Sequence, residues 1–118
     1  MVRRESIIEK EHVQGGKGTV YLHRVLLPEE LNGHGRAYMR VVLPPGASIG
    51  WHQHLQETEP YYILKGNGEF IDNDKKRYKV RPGDVCIIKV GQYHSMENNS
   101  DQDLEFMALI YNEPGRLT

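Results

Sequence analysis

Clusters of turn-forming residues recur at short, regular intervals through the second half of the chain. Each cluster combines Gly, Pro, Asn or Asp with charged residues, and the clusters fall at 65–68, 72–75, 81–84 and 97–100. The runs between them are short and rich in Val, Ile, Tyr and Phe. Many short strands with turns at this spacing are typical of β-sandwiches and barrels. We therefore predict an all-β chain, because no run shows the periodicity of an amphipathic helix.

The first half of the chain and its end supply further predicted strands. Alternating or β-rich runs predict strands at 19–27, 36–43 and 104–111, and Pro28 begins a predicted single helical turn at 28–31. The charged residues 1–11 predict an edge strand or arm. Gly15, Gly16 and Gly18 predict a flexible turn, because no Lys-Ser/Thr follows them as in a phosphate-binding loop. The tail after Pro114 is predicted to be loose.

The length and charge restrict the class of protein. A chain of 118 residues is predicted to form a single domain, 1–118. Its formal net charge of −1 provides no basic field for nucleic acid or for a membrane surface. No apolar run resembles a membrane span or a signal peptide. The single cysteine, Cys86, cannot form an internal disulfide, and we therefore expect a cytoplasmic protein.

Three histidines and one glutamate have the spacing of a metal site. His52 and His54 are two residues apart, so on a strand both imidazoles leave the same face. Glu59 follows after a predicted turn, and His94 lies in a later β-rich run. Unpaired imidazoles and a carboxylate inside a small β-barrel would be costly, whereas coordination satisfies them. The sequence predicts one transition-metal ion per chain.

The predicted ligand set indicates what such an ion could do. Three neutral imidazoles and one carboxylate leave a divalent ion with a net charge of about +1, which favours a small anionic ligand. A four-coordinate Zn site would be closed and structural. A six-coordinate Mn, Fe, Co or Ni ion would keep two positions for a bidentate carboxylate or for a substrate with dioxygen. Mn, Fe, Ni, Co and Zn all remain candidates.

Three further side chains are candidate catalytic groups. Tyr38 and Arg40 share a face of their predicted strand and could offer a phenol and a guanidinium to a carboxylate substrate. The alternative for Arg40 is an outward, solvated position, since the strand register is unknown. Glu57 could act as a base outside the ligand set, or it could be a solvated loop residue.

Strand alternation also predicts which side chains line the pocket with the ligands. If Glu59 points inward, Tyr61 does so too, and an inward His94 brings Met96 with it. Tyr61 could contact substrate, or it could pack in the core with a satisfied hydroxyl. Phe106 is predicted to belong to the apolar wall of the pocket.

Two glycine-framed stretches carry a family resemblance. The first has the pattern Gly, five residues, His-x-His, four residues, Glu, six residues, Gly, formed by Gly46, His52, His54, Glu59 and Gly66. The second is formed by Gly83, Gly91, His94 and Asn98, with Lys89 where proline is usual. Together they resemble the paired motifs of the cupin superfamily. The resemblance implies a double-stranded β-helix (jelly roll, or cupin barrel) with a barrel core at about 19–111 and an N-terminal arm at 1–18.

The resemblance also implies a function. The chain is similar to small single-domain cupins of the cupin 2 type, including the oxalate-decarboxylase-like group, and such cupins commonly form homodimers. It implies an enzyme acting on a small oxygen-rich anion, such as a carboxylate, keto acid or sugar acid, bound to the metal. The implied reaction class is a lyase, an isomerase, or a dioxygenase using Fe or Mn. A cupin that binds or senses a small ligand without turnover, and a purely structural metal, are the alternatives.

Overall fold

The computed structural model describes residues 1–114 and contains ten β-strands and two short 3-10 helices in that part of the chain. The tail predicted to be loose lies outside the described residues. The helical elements are η1 (Val13–Gly15) and η2 (Pro28–Leu31). The strands are β1 (Ser6–Glu11), β2 (Thr19–Leu26), β3 (Gly35–Leu43), β4 (Ser48–Gln53), β5 (Glu57–Lys65), β6 (Gly68–Ile71), β7 (Arg77–Val80), β8 (Val85–Ile88), β9 (Tyr93–Glu97) and β10 (Leu104–Asn112).

The strands form two antiparallel sheets that enclose one core. The larger sheet has the order β1-β2-β3-β10-β5-β8, and the smaller has the order β4-β9-β6-β7. This architecture is consistent with the predicted double-stranded β-helix. The expected closed barrel is not found, because no ladder joins the two sheets within residues 1–114. The chain instead crosses between the sheets through turns such as the one before Ala47, so the jelly roll is an open pair of sheets.

The elements whose bounds were predicted explicitly lie close to those bounds. β2, β3, β10 and η2 each begin and end within one residue of the predicted limits. The charged N-terminal stretch contains β1, an edge strand that pairs with β2 from Ser6 opposite Arg24 to Glu11 opposite Thr19. Turn residues and alternating patterns therefore indicated most strand ends correctly.

The core lies between the two sheets and is built from alternate residues of their strands. Tyr61, Phe70 and Phe106 form its aromatic part, with ring centroids 4.4 Å apart for Tyr61 and Phe106 and 6.2 Å apart for Tyr61 and Phe70. Fully buried aliphatic side chains, each contributing about 1.5–3 kcal/mol by leaving water, surround these rings: Val20, Val41, Leu43, Ile63, Ile88, Met96 and Leu104.

The glycine-rich turn after β1 is held firmly against β4. Lys17 N–H donates to Ser48 Oγ (2.8 Å), and Ser48 N–H donates to the Lys17 carbonyl (2.9 Å). Two glycines permit this approach, since a Cβ on Gly16 would lie 2.2 Å from Ser48 O and one on Gly50 would lie 2.1 Å from Gln14 O. The expected flexible turn is therefore an anchored segment. None of the helices in residues 1–114 is long and apolar enough to cross a membrane.

Candidate metal centre

A bulge in β4 directs the first histidine of the site inward. Ile49 pairs with Met96, but the next pair along the ladder is His52 with His94, so β4 has one residue more than β9 between them. Ile49 and His52 therefore both face the interior although they are three residues apart, an arrangement that regular alternation forbids. His54 follows directly after the end of β4.

The same bulge leaves an aromatic pair on the other face of the small sheet. Trp51 precedes His52 and is partly exposed, and its ring stacks on Tyr93 with centroids 5.6 Å apart and planes at 12°. Lys75 Nζ lies 5.3 Å from the centre of the Trp51 ring. This exterior pair therefore flanks the two strand positions that supply His52 and His94 to the interior.

The four predicted ligands meet at one point. His52 Nε2 lies 3.1 Å from His54 Nε2 and 3.2 Å from His94 Nε2. Glu59 Oε1 lies 2.9 Å from His54 Nε2 and 3.1 Å from His94 Nε2. The donor atoms all lie within 4.8 Å of one another. Two ligands about 2.1 Å from an ion and at right angles to each other would be about 3.0 Å apart, so the residues fit one metal ion.

Hydrogen bonds at Nδ1 orient two of the imidazoles so that their Nε2 atoms face the centre. His52 Nδ1 lies 2.7 Å from the carbonyl of Gly50, which can only accept, so Nδ1 carries the proton and Nε2 the lone pair. His54 Nδ1 similarly donates to Glu57 Oε1 (3.3 Å). Partners of this kind fix the tautomer and orientation of metal-binding histidines. The Nε2 atoms of His52 and His54 therefore face the centre, where a cation could bind them together with Glu59 and His94.

His94 is oriented by aromatic packing. It is fully buried, and its Nδ1 has no hydrogen-bond partner in the described part of the chain. The Tyr61 ring stacks on it with centroids 5.2 Å apart, and the Phe70 ring meets it edge-on at 5.7 Å. Tyr61 is thus placed inward, as strand alternation predicted, and burial raises the pKa of its hydroxyl well above the usual value.

The pKa values of Glu59 and His52 suit metal binding, whereas that of His54 implies that a proton would leave when an ion binds. Burial alone would raise the pKa of Glu59, but hydrogen bonds from His54 and His94 outweigh it and lower the pKa to about 2. Burial lowers the pKa of His52 to about 4. For His54, burial acts to lower the pKa, and the hydrogen bond to Glu59 raises it above the ordinary value. The carboxylate is therefore ionised and His52 is neutral near pH 7.

A cavity of about 130 Å³ opens from the centre between the two sheets. His52, His54 and Glu59 form its inner end. The remaining polar or charged side chains lining it are Lys10, Gln14 and Arg36, together with Tyr61. The rest of the lining is apolar and consists of Val13, Leu22, Met39, Val41, Ile49, Ala108 and Ile110. The cavity is thus a small, mainly apolar chamber with the candidate metal site at one end.

Tyr38 and Arg40 do not reach this cavity, so their predicted roles there need correction. Met39 and Val41 line the cavity, and alternation along β3 directs Tyr38 and Arg40 to the outer face of the large sheet. Arg40 donates there to Glu105 Oε1 at 2.7 Å. The strand register, which the sequence left open, therefore places the Arg40 guanidinium on the outer face of the sheet. This is the alternative position given for it above.

Met96 and Phe106 are buried in the core and do not line the cavity. Their predicted contact with substrate is therefore also corrected, because both side chains pack in the core. Glu57 takes the outer position considered for it, with Oε1 accepting from His54 Nδ1 and Oε2 accepting from Arg36 Nε at 2.7 Å. Each carboxylate oxygen of Glu57 thus has one partner, and the residue is placed to orient His54.

Sequence reasoning did not identify Lys10, Gln14 and Arg36 as part of the cavity lining. The sequence contained a partial signal for Lys10, because alternation along residues 1–11 places Lys10 on the same strand face as Ile8. The sheet order that brings β1 to the cavity is not visible in the sequence. Gln14 lies at the site because it belongs to the anchored turn. Arg36 lies there because it pairs with Glu57.

Known proteins resemble this chain over most of its length. The "Oxalate-binding protein" of Thermotoga maritima is 44% identical over 113 residues, covering 93% of each chain. A crystal structure from Thermotoga maritima described as a predicted oxalate decarboxylase superposes with a TM-score of 0.89 at 41% identity, covering 95% of this chain and 99% of the other. A polyketide cyclase from Streptomyces resistomycificus shares the fold, with a TM-score of 0.74, 19% identity, and coverage of 100% and 86%.

The family model for the Cupin domain matches residues 39–110, which include all four converging side chains and the strands that carry them. This match covers more than half of the chain, and it agrees with the two glycine-framed motifs and with the arrangement of the sheets. The chain belongs to the cupin family.

Proposed function

We propose that this cupin binds one divalent metal ion through His52, His54, Glu59 and His94 and holds a small dicarboxylate, with oxalate as the first candidate, on that ion. The observation that carries the proposal is the convergence of three imidazole nitrogens and one carboxylate oxygen, spaced 2.9–3.2 Å apart in the measured pairs, at the end of a cavity of about 130 Å³. The oxalate-binding relative supports the choice of ligand.

The charge and size of the site support a small anion. The ligand set leaves a divalent ion with a net charge of about +1, and Lys10 and Arg36 add positive charge to the cavity lining. The volume corresponds to about four water molecules at about 30 Å³ each. A compact dianion therefore matches the site better than a sugar ring or a bulky aromatic acid.

The spacing of the donor atoms supports a metal with room for a further ligand. Around an ion with bonds of about 2.1 Å, tetrahedral ligands lie about 3.4 Å apart and ligands at right angles about 3.0 Å apart. The measured spacings of 2.9–3.2 Å favour the second arrangement. We therefore propose Mn, Fe, Co or Ni in preference to a closed Zn site. A bound ion would polarise the ligand oxygens that coordinate it.

The lining of the cavity favours binding over turnover. Within residues 1–114, its only carboxylate is Glu59, which is a proposed metal ligand, and Glu57 is held by Arg36 and His54 outside the lining. Apart from a proposed metal ligand, no carboxylate of the described lining is therefore available as a general acid or base, which leaves Lys10 and Tyr61 as the other proton-transfer candidates there. We propose a binding or sensing role first. Metal-dependent turnover, as a lyase, isomerase or Fe- or Mn-dependent dioxygenase, is the second candidate, supported by the open side of the metal centre.

Metal content and ligand binding test this proposal. The wild-type protein, His52→Ala, His94→Ala and the exposed control His34→Ala are purified from metal-supplemented growth, and bound metal is measured by elemental analysis. We expect one equivalent in the wild type and in the control, and substantial loss in the other two. Full retention by both ligand variants would refute the site.

The second test separates binding from catalysis. Mn-, Fe-, Ni- and Zn-loaded protein is titrated with oxalate by calorimetry and is then incubated with oxalate with and without dioxygen. Saturable, metal-dependent binding without product formation supports the binding role. Product formation that disappears on chelation favours the enzyme, and loss of stability on chelation without any ligand response indicates a structural metal.

We also propose that the chain is a homodimer, as the family resemblance implies. The outer face of the large sheet exposes apolar side chains on the neighbouring strands β5 and β8, where Tyr62 pairs with Val85 and Pro60 with Ile87. A second copy would cover this surface. Light scattering of the wild type and of Val85→Lys tests the proposal: a monomeric wild type refutes it. A cytoplasmic location stays a prediction from the single, buried thiol of Cys86.

A further inference from the structure

Residues 10–16 form a wall on one side of the metal cavity and contribute a lysine to its lining. Lys10 pairs with Val20, which is fully buried, so the Lys10 side chain leaves the inner face of the large sheet. Lys10, Val13 and Gln14 all line the cavity. The wall is fixed by the contacts of Gly16 with β4 described above, so the position of Lys10 does not depend on a loose arm.

Lys10 differs from the other cation of the cavity in its partners. Arg36 donates from Nε to Glu57 Oε2 at 2.7 Å, and the other oxygen of that carboxylate accepts from His54. The ion pairs of residues 1–114 involve other cations, and Lys10 takes part in none of them. With a divalent ion bound, the cavity would therefore have a positive centre at its inner end and, in its lining, a lysine that pairs with no carboxylate of residues 1–114.

We propose that Lys10 binds the outer oxygens of a dicarboxylate whose inner oxygens coordinate the metal, and that it makes the site selective for dianions over monoanions. The inference rests on the proposed function. A dianion would compensate both positive charges, that of the ion and that of the ammonium. A monoanion of the same length would leave the ammonium without a charged partner, because Glu59, the carboxylate of the described lining, is a proposed metal ligand.

The charges also set the size of the effect. A hydrogen bond between charged groups contributes a factor of about ten or more in affinity, and the exposure of the lysine reduces it to about five- to tenfold. Salt screens an exposed ammonium, so the preference for a dianion should fall as the ionic strength rises. Metal content should not respond to Lys10, because the four ligands do not contact it.

The test compares two anions that can chelate a metal in the same way and differ in charge. Oxalate, a dianion, and glycolate, a monoanion, are titrated by calorimetry into Mn-loaded wild type, Lys10→Met, Lys10→Arg and Lys17→Met, with metal content measured in each sample. Lys17 is an exposed lysine of the same anchored segment that does not line this cavity, so Lys17→Met controls for net charge.

We expect Lys10→Met to weaken oxalate binding about five- to tenfold, with glycolate binding changed by less than about twofold. Lys10→Arg should retain most of the preference, and Lys17→Met should behave as the wild type. An unchanged ratio of oxalate to glycolate affinity in Lys10→Met overturns the inference alone, and so does an equal loss in Lys17→Met. A metal-loaded wild type that binds neither anion overturns the proposed function as well.

Discussion

Replacing Gly16 with Ala tests whether the wall of the cavity is fixed against β4. The added Cβ would lie 2.2 Å from Ser48 O and 2.9 Å from Gly50 N, both backbone atoms that cannot rotate away. Restoring an ordinary contact of about 3.4 Å requires the segment to move by more than about 1 Å. The two hydrogen bonds between Lys17 and Ser48 would then break, at about 1 kcal/mol each, and Val13 would lose core packing worth about 1 kcal/mol.

The expected loss is therefore about 3 kcal/mol, or roughly 10 °C in Tm for a domain of this size. Urea unfolding of metal-free protein measures it. The matched control is Gly15→Ala, whose Cβ meets nothing within 4 Å and whose only cost is its φ of +79°, about 1 kcal/mol. Metal stoichiometry should stay at one equivalent in both variants, and Gly16→Ala should also weaken oxalate binding. Equal destabilisation of the two variants would refute the idea of a close-packed wall.

Three further results are expected. Glu57→Gln should weaken metal binding about tenfold in competition titrations, because His54 loses its charged orienting partner; an unchanged affinity would contradict that role. Burial, reinforced by nearby carboxylates, raises the pKa of Cys86 to about 12, so iodoacetamide at pH 8 should label the folded protein far more slowly than the unfolded one, and equal rates would contradict the burial. Phe106→Ala should lower the free energy of unfolding by about 3–5 kcal/mol, because it leaves a void beside Tyr61; a change below about 1 kcal/mol would contradict this packing.

The four converging side chains could be predicted from the sequence because their chemistry and spacing are local signals. Glu59 lies one strand beyond His52 and His54, and the glycine-framed stretch around His94 indicated the fourth side chain. Turn residues similarly identified the ends of most strands. These features depend on neighbours in the chain, and a single sequence contains that information.

The rest of the site depends on relations between distant strands. Arg40 faces outward because of the register between β3 and its neighbours, and a shift by one residue would have reversed it. The bulge in β4 lies beside Gly50, whose backbone is in close contact with Gln14. Gln14 is far from Gly50 in the sequence. Lys10 enters the cavity through the position of β1 at the sheet edge. Neither register nor sheet order follows from local pattern alone.

The stacked pair on the outside of the small sheet has a practical consequence. Trp51 is the only tryptophan in the chain, and it adjoins His52 along the backbone while its ring partner, Tyr93, adjoins His94. The indole is thus an intrinsic fluorophore attached to the two strands that supply these imidazoles. Emission from the unlabelled protein should therefore respond when an ion enters the centre, and a paramagnetic ion should quench it more strongly than a diamagnetic one.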